Sequence, residues 1–214
     1  DGVTPRGTVE FHGEIANTMT LSVIADQLGV PRADMETFRR WTAAVIAQGD
    51  PSRTLDEQVA ISHTLCELQR YIAEKAEAYR RYPRECMLSD LVHAEVNGRR
   101  LTTHELVAIV TQILVAGNDT TTNAMASAMI QIVRTPGLED RLRAGPQLIP
   151  DFIEEVLRLN APVQGLWRRA THATQIGGFP VPAEAMVVIK FGAGNRDPDR
   201  FPKPDQMDIG RNGL

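Results

Sequence analysis

The sequence predicts a mainly α-helical fold with a small β portion: helices over roughly residues 1–160, then short strands and ordered loop over 161–214. Three observations carry this expectation. Apolar residues recur at helical spacing in one segment after another as far as Leu159. One of these runs, from Thr103 to Arg134, keeps its spacing far longer than an ordinary helix. Beyond Ala161-Pro162 the pattern breaks into short β-type pieces divided by Gly and Pro.

A helix over 24–28 stops at Gly29-Val30-Pro31, and the chain restarts as helix near Arg32 or Ala33. Phe38, Trp41, Ala44 and Val45 keep helical spacing up to Gly49-Asp50-Pro51. A long amphipathic stretch over 55–82 sets Val59, Ser62, Leu65, Cys66, Leu68, Ile72 and Ala76 near one face, and Pro83 ends it. A shorter helix over 88–95 is stopped by Asn97-Gly98. Thr102-Thr103-His104-Glu105 is a capping box, in which the Thr102 hydroxyl and the Glu105 carboxylate satisfy each other's backbone donors. It opens the longest element, ~48 Å at ~1.5 Å per residue, which should cross the whole domain through its core. Pro136 stops it. Helices over 138–143 and from Pro150-Asp151 to Leu159 follow, then strand-like pieces at 164–170, 174–176 and 186–191. The last stretch, 195–211, is dense in Pro and Asp and reads as ordered loop.

The 214 residues suffice for one domain or two small ones, and 43% apolar against 23% charged residues is ordinary for a soluble globular protein. A net charge of −4 offers no basic face to replace phosphate counterions, which argues against a nucleic-acid binder. Cys66 and Cys86 are too few and too dispersed for a disulfide framework or a metal knuckle, in keeping with a reducing cytoplasm. The first residues lack the basic and apolar regions of a secretory leader. The longest apolar run, 106–117, falls short of the ~20 residues that span a bilayer. The expectation is a soluble, cytoplasmic protein with no membrane partner. The start without Met and the stop at Leu214 read as cuts in a longer chain.

Chemistry concentrates in the middle of the long helix. Gly117, Asp119 and Thr120, followed by Thr121 and Thr122, are a poor way to fill a helix interior: Gly costs about 1 kcal/mol against Ala, and a buried carboxylate costs more unless paired. Thr side chains there can bond back to a carbonyl one turn earlier. Such a cluster suits a ligand lying flat against the helix and receiving protons; a polar helix–helix contact is the plainer alternative. Glu155 and Arg158, three apart, share a helix face and can pair.

Three motifs occur in order: Ala116-Gly117-Asn118-Asp119-Thr120-Thr121, Glu155-Val156-Leu157-Arg158 and Asn195-Arg196-Asp197-Pro198. At these separations they resemble three signatures of the cytochrome P-450 family in its soluble bacterial form. Residues 23–31 and 89–98 resemble the family as well, so the likeness spans nearly the whole chain, read as a partial domain. The resemblance implies haem as cofactor. It implies Asp119 and Thr120 as the acid–alcohol pair that relays protons to oxygen, in a groove where the helix opens beside Ala116 and Gly117. It implies that Glu155 and Arg158, with Arg211 as third partner, form a buried network. Arg168 falls where the family sets an arginine against a haem propionate; the adjacent Arg169 could compete, and a solvated strand-end charge is the alternative. Val163, Gln164, Gly165 and Leu166 fall on the segment that lines the substrate pocket.

The implied activity is insertion of one oxygen atom of O2 into an apolar small molecule, with electrons from NAD(P)H through a ferredoxin-type donor. Two departures stand out. Pro204-Asp205-Gln206-Met207 has Gln and Met where relatives carry Arg and Phe, which should alter local packing. The haem loop with its single Cys is absent, so no metal ligand is assigned; it is expected beyond residue 214. Cys66, on an apolar helix face, reads as core, and Cys86 has no glycine-rich loop around it. The fragment alone should be inactive and fold poorly, its long helix having lost half its burial. Two rivals remain open. One is a truncated non-catalytic relative that binds an apolar ligand or protein partner; the other is a hydrolase using Asp119 with Glu154 or Glu155.

Overall fold

Helix predominates in the computed structural model of the protein, which describes residues 7–211. α1 (Thr18–Leu28) continues from a π-helical turn, Phe11–Asn17, whose His12 and Gly13 amides donate to the Glu10 carboxylate at 2.9 and 2.6 Å. Leu21, Ile24, Ala25 and Leu28 are its buried stripe, so the helix begins earlier than the 24–28 read from sequence. Gly29, at φ 74°, ends it: Gly29 N–H donates to Asp26 O and Val30 N–H to Ala25 O, a closure that needs a left-handed residue.

α2 (Met35–Ala47) buries Phe38, Trp41, Ala44 and Val45 as its spacing predicts. α3 (Leu55–Arg81), 27 residues long, opens with a capping box between Thr54 and Glu57 and packs on α2 and on α4 (Met87–His93). α4 ends two residues short of the predicted helix. Asn97 and Gly98, at φ 53° and 75°, form a hairpin turn between β1 (Glu95–Val96) and β2 (Arg99–Arg100). Asn-Gly supplies the two positive φ values that such a turn requires. α5 (Thr103–Arg134), 32 residues, has the predicted bounds and cap: Thr102 N–H donates to Glu105 Oε2 (2.8 Å) and Glu105 N–H to Thr102 Oγ1 (3.3 Å).

α6 (Leu138–Ala144) and α7 (Ile149–Leu159) complete the long helical part. β3 (Leu166–Arg169) pairs antiparallel with β6 (Met186–Ile189), Leu166 opposite Ile189 and Arg169 opposite Met186. Between them in sequence, β4 (Thr174–Ile176) and β5 (Phe179–Val181) form a hairpin that turns at Gly177 and Gly178. Periodicity does not reveal β5, whose centre is Pro180; in a two-stranded ribbon every strand has a free edge where a missing N–H is tolerated. Phe191, predicted as a strand end, instead starts the single turn α8 (Phe191–Gly194).

The chain divides into two compact units, with the boundary between Thr122 and Asn123 inside α5. The core of the first joins Leu21, Ile24 and Leu28 to Phe38, Trp41, Leu68, Ile72, Leu106, Val110 and Leu114. The core of the second is small: Leu138, Phe152, Val156 and Ile209, with Ala128 and Ile132 of α5 packed against it, half-buried. The deeply buried positions of α5 (Leu106, Val110, Leu114, Asn118, Thr122) step by four and all lie in the first unit.

Candidate functional site

α5 carries two separate polar faces in the first unit. Asn118 and Thr122, one turn apart, are buried and meet Thr20 of α1, itself 5% exposed. Thr20 Oγ1 lies 3.0 Å from Asn118 Oδ1, 2.9 Å from Thr122 Oγ1 and 3.1 Å from Asn17 O. The polar helix–helix contact thus exists, but through Asn118 and Thr122. Each residue turns the helix by ~100°, and on its other side Ala116 and Asp119 are exposed and Thr120 half-buried. Thr120 Oγ1 donates to Ala116 O at 2.7 Å, the one-turn back-bond expected for threonine there, and the helix runs unbroken through it. Asp119 makes no side-chain hydrogen bond or ion pair among the described residues. Gly117 faces elsewhere: a Cβ on it would stand 3.1 Å from Ile24 Cδ1 of α1. The space this glycine leaves is filled by α1, not opened beside Asp119.

The second unit brings Glu155, Arg158 and Arg211 into one bonded set. Glu155 is 0% and Arg158 4% exposed on α7. Arg158 grips the carboxylate bidentately, Nε to Oε2 at 2.7 Å and Nη2 to Oε1 at 2.8 Å. Its remaining N–H groups donate to Asn195 O (2.7 Å), Pro204 O (2.7 Å) and Gln206 O (3.3 Å). Arg211 Nε adds contacts of 3.2 Å to both Glu155 oxygens, and Asp208 N–H donates to Oε1 at 3.1 Å. Burial alone pushes the Glu155 carboxyl upward. Arg158, the Asp208 amide and Arg211 outweigh it and hold the group below its ordinary range. A glutamate so occupied is no general base, which removes the hydrolase built on Glu155. Gln206 enters through its backbone carbonyl while its side chain is exposed, so the departure at that position leaves the network intact. Met207 packs half-buried against the second core. Arg196 contributes through Leu159 O (2.8 Å) and an ion pair with Asp205.

Arg168 and Arg169 separate on the β3–β6 ribbon because neighbours on a strand point to opposite faces. Arg169 shares its face with Trp167, Val188 and Met186 and pairs with Glu184 at 3.0 Å. Arg168 shares the other face with Leu166, Val187 and Ile189; its guanidinium bonds only Trp167 O and has no carboxylate partner among the described residues. Val163, Gln164 and Leu166 are exposed, so within this unit the segment is a surface and not an enclosed pocket. Gly165 is fixed by close approach: a Cβ there would stand 2.6 Å from Ile189 O.

Comparison with known proteins decides the family. The model of the family described as Cytochrome P450 matches residues 51–145 and 147–212. The chain belongs to the cytochrome P450 family. It is similar to the putative cytochrome P450 YjiB of Bacillus subtilis, 38% identical over 209 residues, covering 96% of this chain and 53% of that protein. Cytochrome P450 107B1 of Saccharopolyspora erythraea is 34% identical over 212 residues, covering 99% of this chain and 51% of that protein. Among solved structures, ligand-free cytochrome P450 TbtJ1 superposes with a TM-score of 0.89 at 32% identity, covering 94% of this chain and 54% of that one. The chain therefore spans about half the length of the curated relatives it matches.

Membership in the P450 family implies haem, and the residues present fit part of its surroundings. Arg168, on a ribbon face otherwise made of Leu166, Val187 and Ile189, suits the charged edge of a flat apolar group. Small Ala116 leaves room over the exposed side of α5. The thiols do not suit an axial ligand. Cys86 packs against the first core. Cys66 is exposed on α3, which corrects its reading as a core residue: it lies just off the stripe through Leu68, Ile72 and Ala76. Among the described residues no group of three or more His, Cys, Asp or Glu side chains could hold a metal ion, and no helix is long and apolar enough to cross a membrane.

Asn118 and Thr122 belong to the polar run that the sequence shows in α5, but their burial against Thr20 is not apparent from it. Their signal is an Asn/Thr pair four apart in an otherwise apolar stripe, the spacing of one helix face.

Proposed function

We propose that the protein to which these residues belong is a haem-thiolate monooxygenase acting on an apolar organic molecule in the cytoplasm. Its overall balance is RH + O2 + NAD(P)H + H+ to ROH + H2O + NAD(P)+, the electrons arriving through a ferredoxin-type partner. The carrying observation is the pair on the exposed side of α5: Asp119, open to solvent, beside Thr120, whose hydroxyl is held on Ala116 O at 2.7 Å. Bound haem with its thiolate supplies the reductive activation of O2. Arg168 would hold a propionate by a charge-assisted bond, and Ala116 would keep the helix surface low enough for O2. With the haem bound, Asp119 would take protons from water and the Thr120 hydroxyl would hold and hand them on towards the oxygen side of α5. Val163, Gln164, Gly165 and Leu166 line the substrate side. Glu155, Arg158 and Arg211 hold α7 to the loop over 195–211.

The test uses the full-length protein. Haem uptake, a thiolate-type ferrous–carbonyl band and NAD(P)H-dependent hydroxylation are expected. Asp119→Asn should slow turnover by ~10²-fold or more, the usual worth of a positioned proton donor. A full-length protein that takes up no haem would sink the proposal and leave a non-catalytic relative that binds an apolar ligand or protein partner.

A further inference from the structure

We infer that Thr20 is a positioning residue, which with Asn118 and Thr122 sets the rotation of α5 that turns Asp119 and Thr120 outward. For what those two residues do, the inference rests on the monooxygenase reading; the clamp itself does not depend on it. Other buried residues of the two helices are apolar. Leu21, Ile24 and Ala25 of α1 and Val110 and Leu114 of α5 belong to one buried cluster, at most 8% exposed. Thr20 reaches across from α1 to two side chains of α5, Asn118 and Thr122.

Proton counting gives the clamp a direction. A threonine hydroxyl has one proton to donate and two lone pairs. Asn17 O and Asn118 Oδ1 can only accept, so the single Thr20 proton is shared between them, which leaves Thr122 to donate to Thr20. An isolated polar contact in an apolar seam selects one register, as a buried Asn does in a coiled coil. Here the alternatives are costly from both sides. Turning α5 by one residue, ~100°, would break both bonds across the seam and leave the Thr20 hydroxyl with Asn17 O alone. In one sense it would also swing the Asp119 carboxylate towards Leu21 and Ile24, where a charge has no partner. Gly117 reinforces the setting, since any side chain there would press on Ile24. The face that is locked and the face that reacts are therefore set by consecutive residues, Asn118 and Asp119.

The experiment compares full-length holoprotein with Thr20→Val, which removes the hydroxyl at nearly constant volume, and Thr20→Ser, which keeps it. Thr122→Val breaks the same bond from α5 and serves if Thr20→Val fails to fold. Hydrogen exchange is followed over 116–122, and product is measured per NAD(P)H consumed. Thr20→Val should speed exchange of that segment about tenfold, equivalent to about 1.4 kcal/mol. It should also divert electrons to NAD(P)H + O2 + H+ giving NAD(P)+ + H2O2, and Thr20→Ser should restore both readouts. A lower melting temperature with unchanged exchange and coupling would overturn the inference and leave simple core packing. Faster exchange with unchanged coupling would also overturn it, because the clamp would then not position the pair. If wild-type protein binds no haem, the monooxygenase reading fails, while the exchange comparison still decides whether the clamp exists.

Discussion

Replacing Arg158 by Met removes a buried guanidinium at similar length, and the structure sets the size of the effect. Glu155 is 0% exposed, so the variant leaves a carboxylate in the core with only Arg211, at 3.2 Å, and one backbone amide. Asn195 O and Pro204 O lose their Arg158 donor as well. Breaking a buried pair from one side costs about 3–5 kcal/mol. Arg211→Met removes the two longer contacts to Glu155 and the donors to Pro202 O, Lys203 O and Gln206 O, the part of the network nearer solvent, but leaves the bidentate grip on the buried carboxylate, so it should cost less, about 1–3 kcal/mol. Urea unfolding of the full-length protein measures both. With m of about 2–3 kcal/mol per M, Arg158→Met should lower the midpoint by about 1–2 M.

The effect has a pH signature. The folded-state pKa of Glu155 is depressed, so its contribution to wild-type stability is complete above the unfolded value of about 4.3 and is lost as pH falls through the folded value. In Arg158→Met burial is no longer outweighed, the carboxyl titrates higher, and the penalty relative to wild type shrinks on acidification as Glu155 becomes neutral. Equal losses for the two arginine variants, or a penalty that grows towards low pH, would refute this account of the network.

Three further outcomes follow from the geometry. Gly165→Ala should destabilise the β3–β6 ribbon by about 1–3 kcal/mol, because the added methyl meets the backbone oxygen of Ile189, which cannot move aside like a side-chain end; proteolysis within 160–190 checks it. Arg168→Leu should weaken haem retention by ~10–100-fold, the worth of one hydrogen bond to a charged group, whereas Arg169→Leu, which only frees Glu184, should leave it unchanged; transfer of haem to apomyoglobin distinguishes them. Thr102→Ala should cost about 1 kcal/mol by uncapping α5, read as earlier thermal unfolding.

Elements that announce themselves at both ends were legible in the sequence. α5 has a capping box before it and Pro136 after it, with apolar residues repeating between, so its bounds of Thr103 and Arg134 follow from local chemistry. α4 and β1–β2 were less legible, because Asn97-Gly98 stops a helix and turns a hairpin equally well. What separates the readings is the pairing of Glu95 with Arg100, a contact that periodicity does not contain. The same holds for Phe191, whose apolar character suits the end of β6 and the start of α8 alike.

The polar centre of α5 shows where such reading stops and why. Gly117, Asn118, Asp119, Thr120, Thr121 and Thr122 follow one another around more than a full turn, so every direction about the axis holds a polar or small residue. A periodicity argument needs an apolar stripe to orient a helix, and over these six residues there is none. Extending the stripe from Leu106, Val110 and Leu114 by four leads to Asn118 and then Thr122, and those are the buried positions. Asp119 and Thr120 thereby fall on the outer side, and Gly117 turns to Ile24. Orientation is thus inherited from the apolar half of the helix, one step of four at a time, and the polar pair that carries the proposed chemistry is placed by residues that take no part in it.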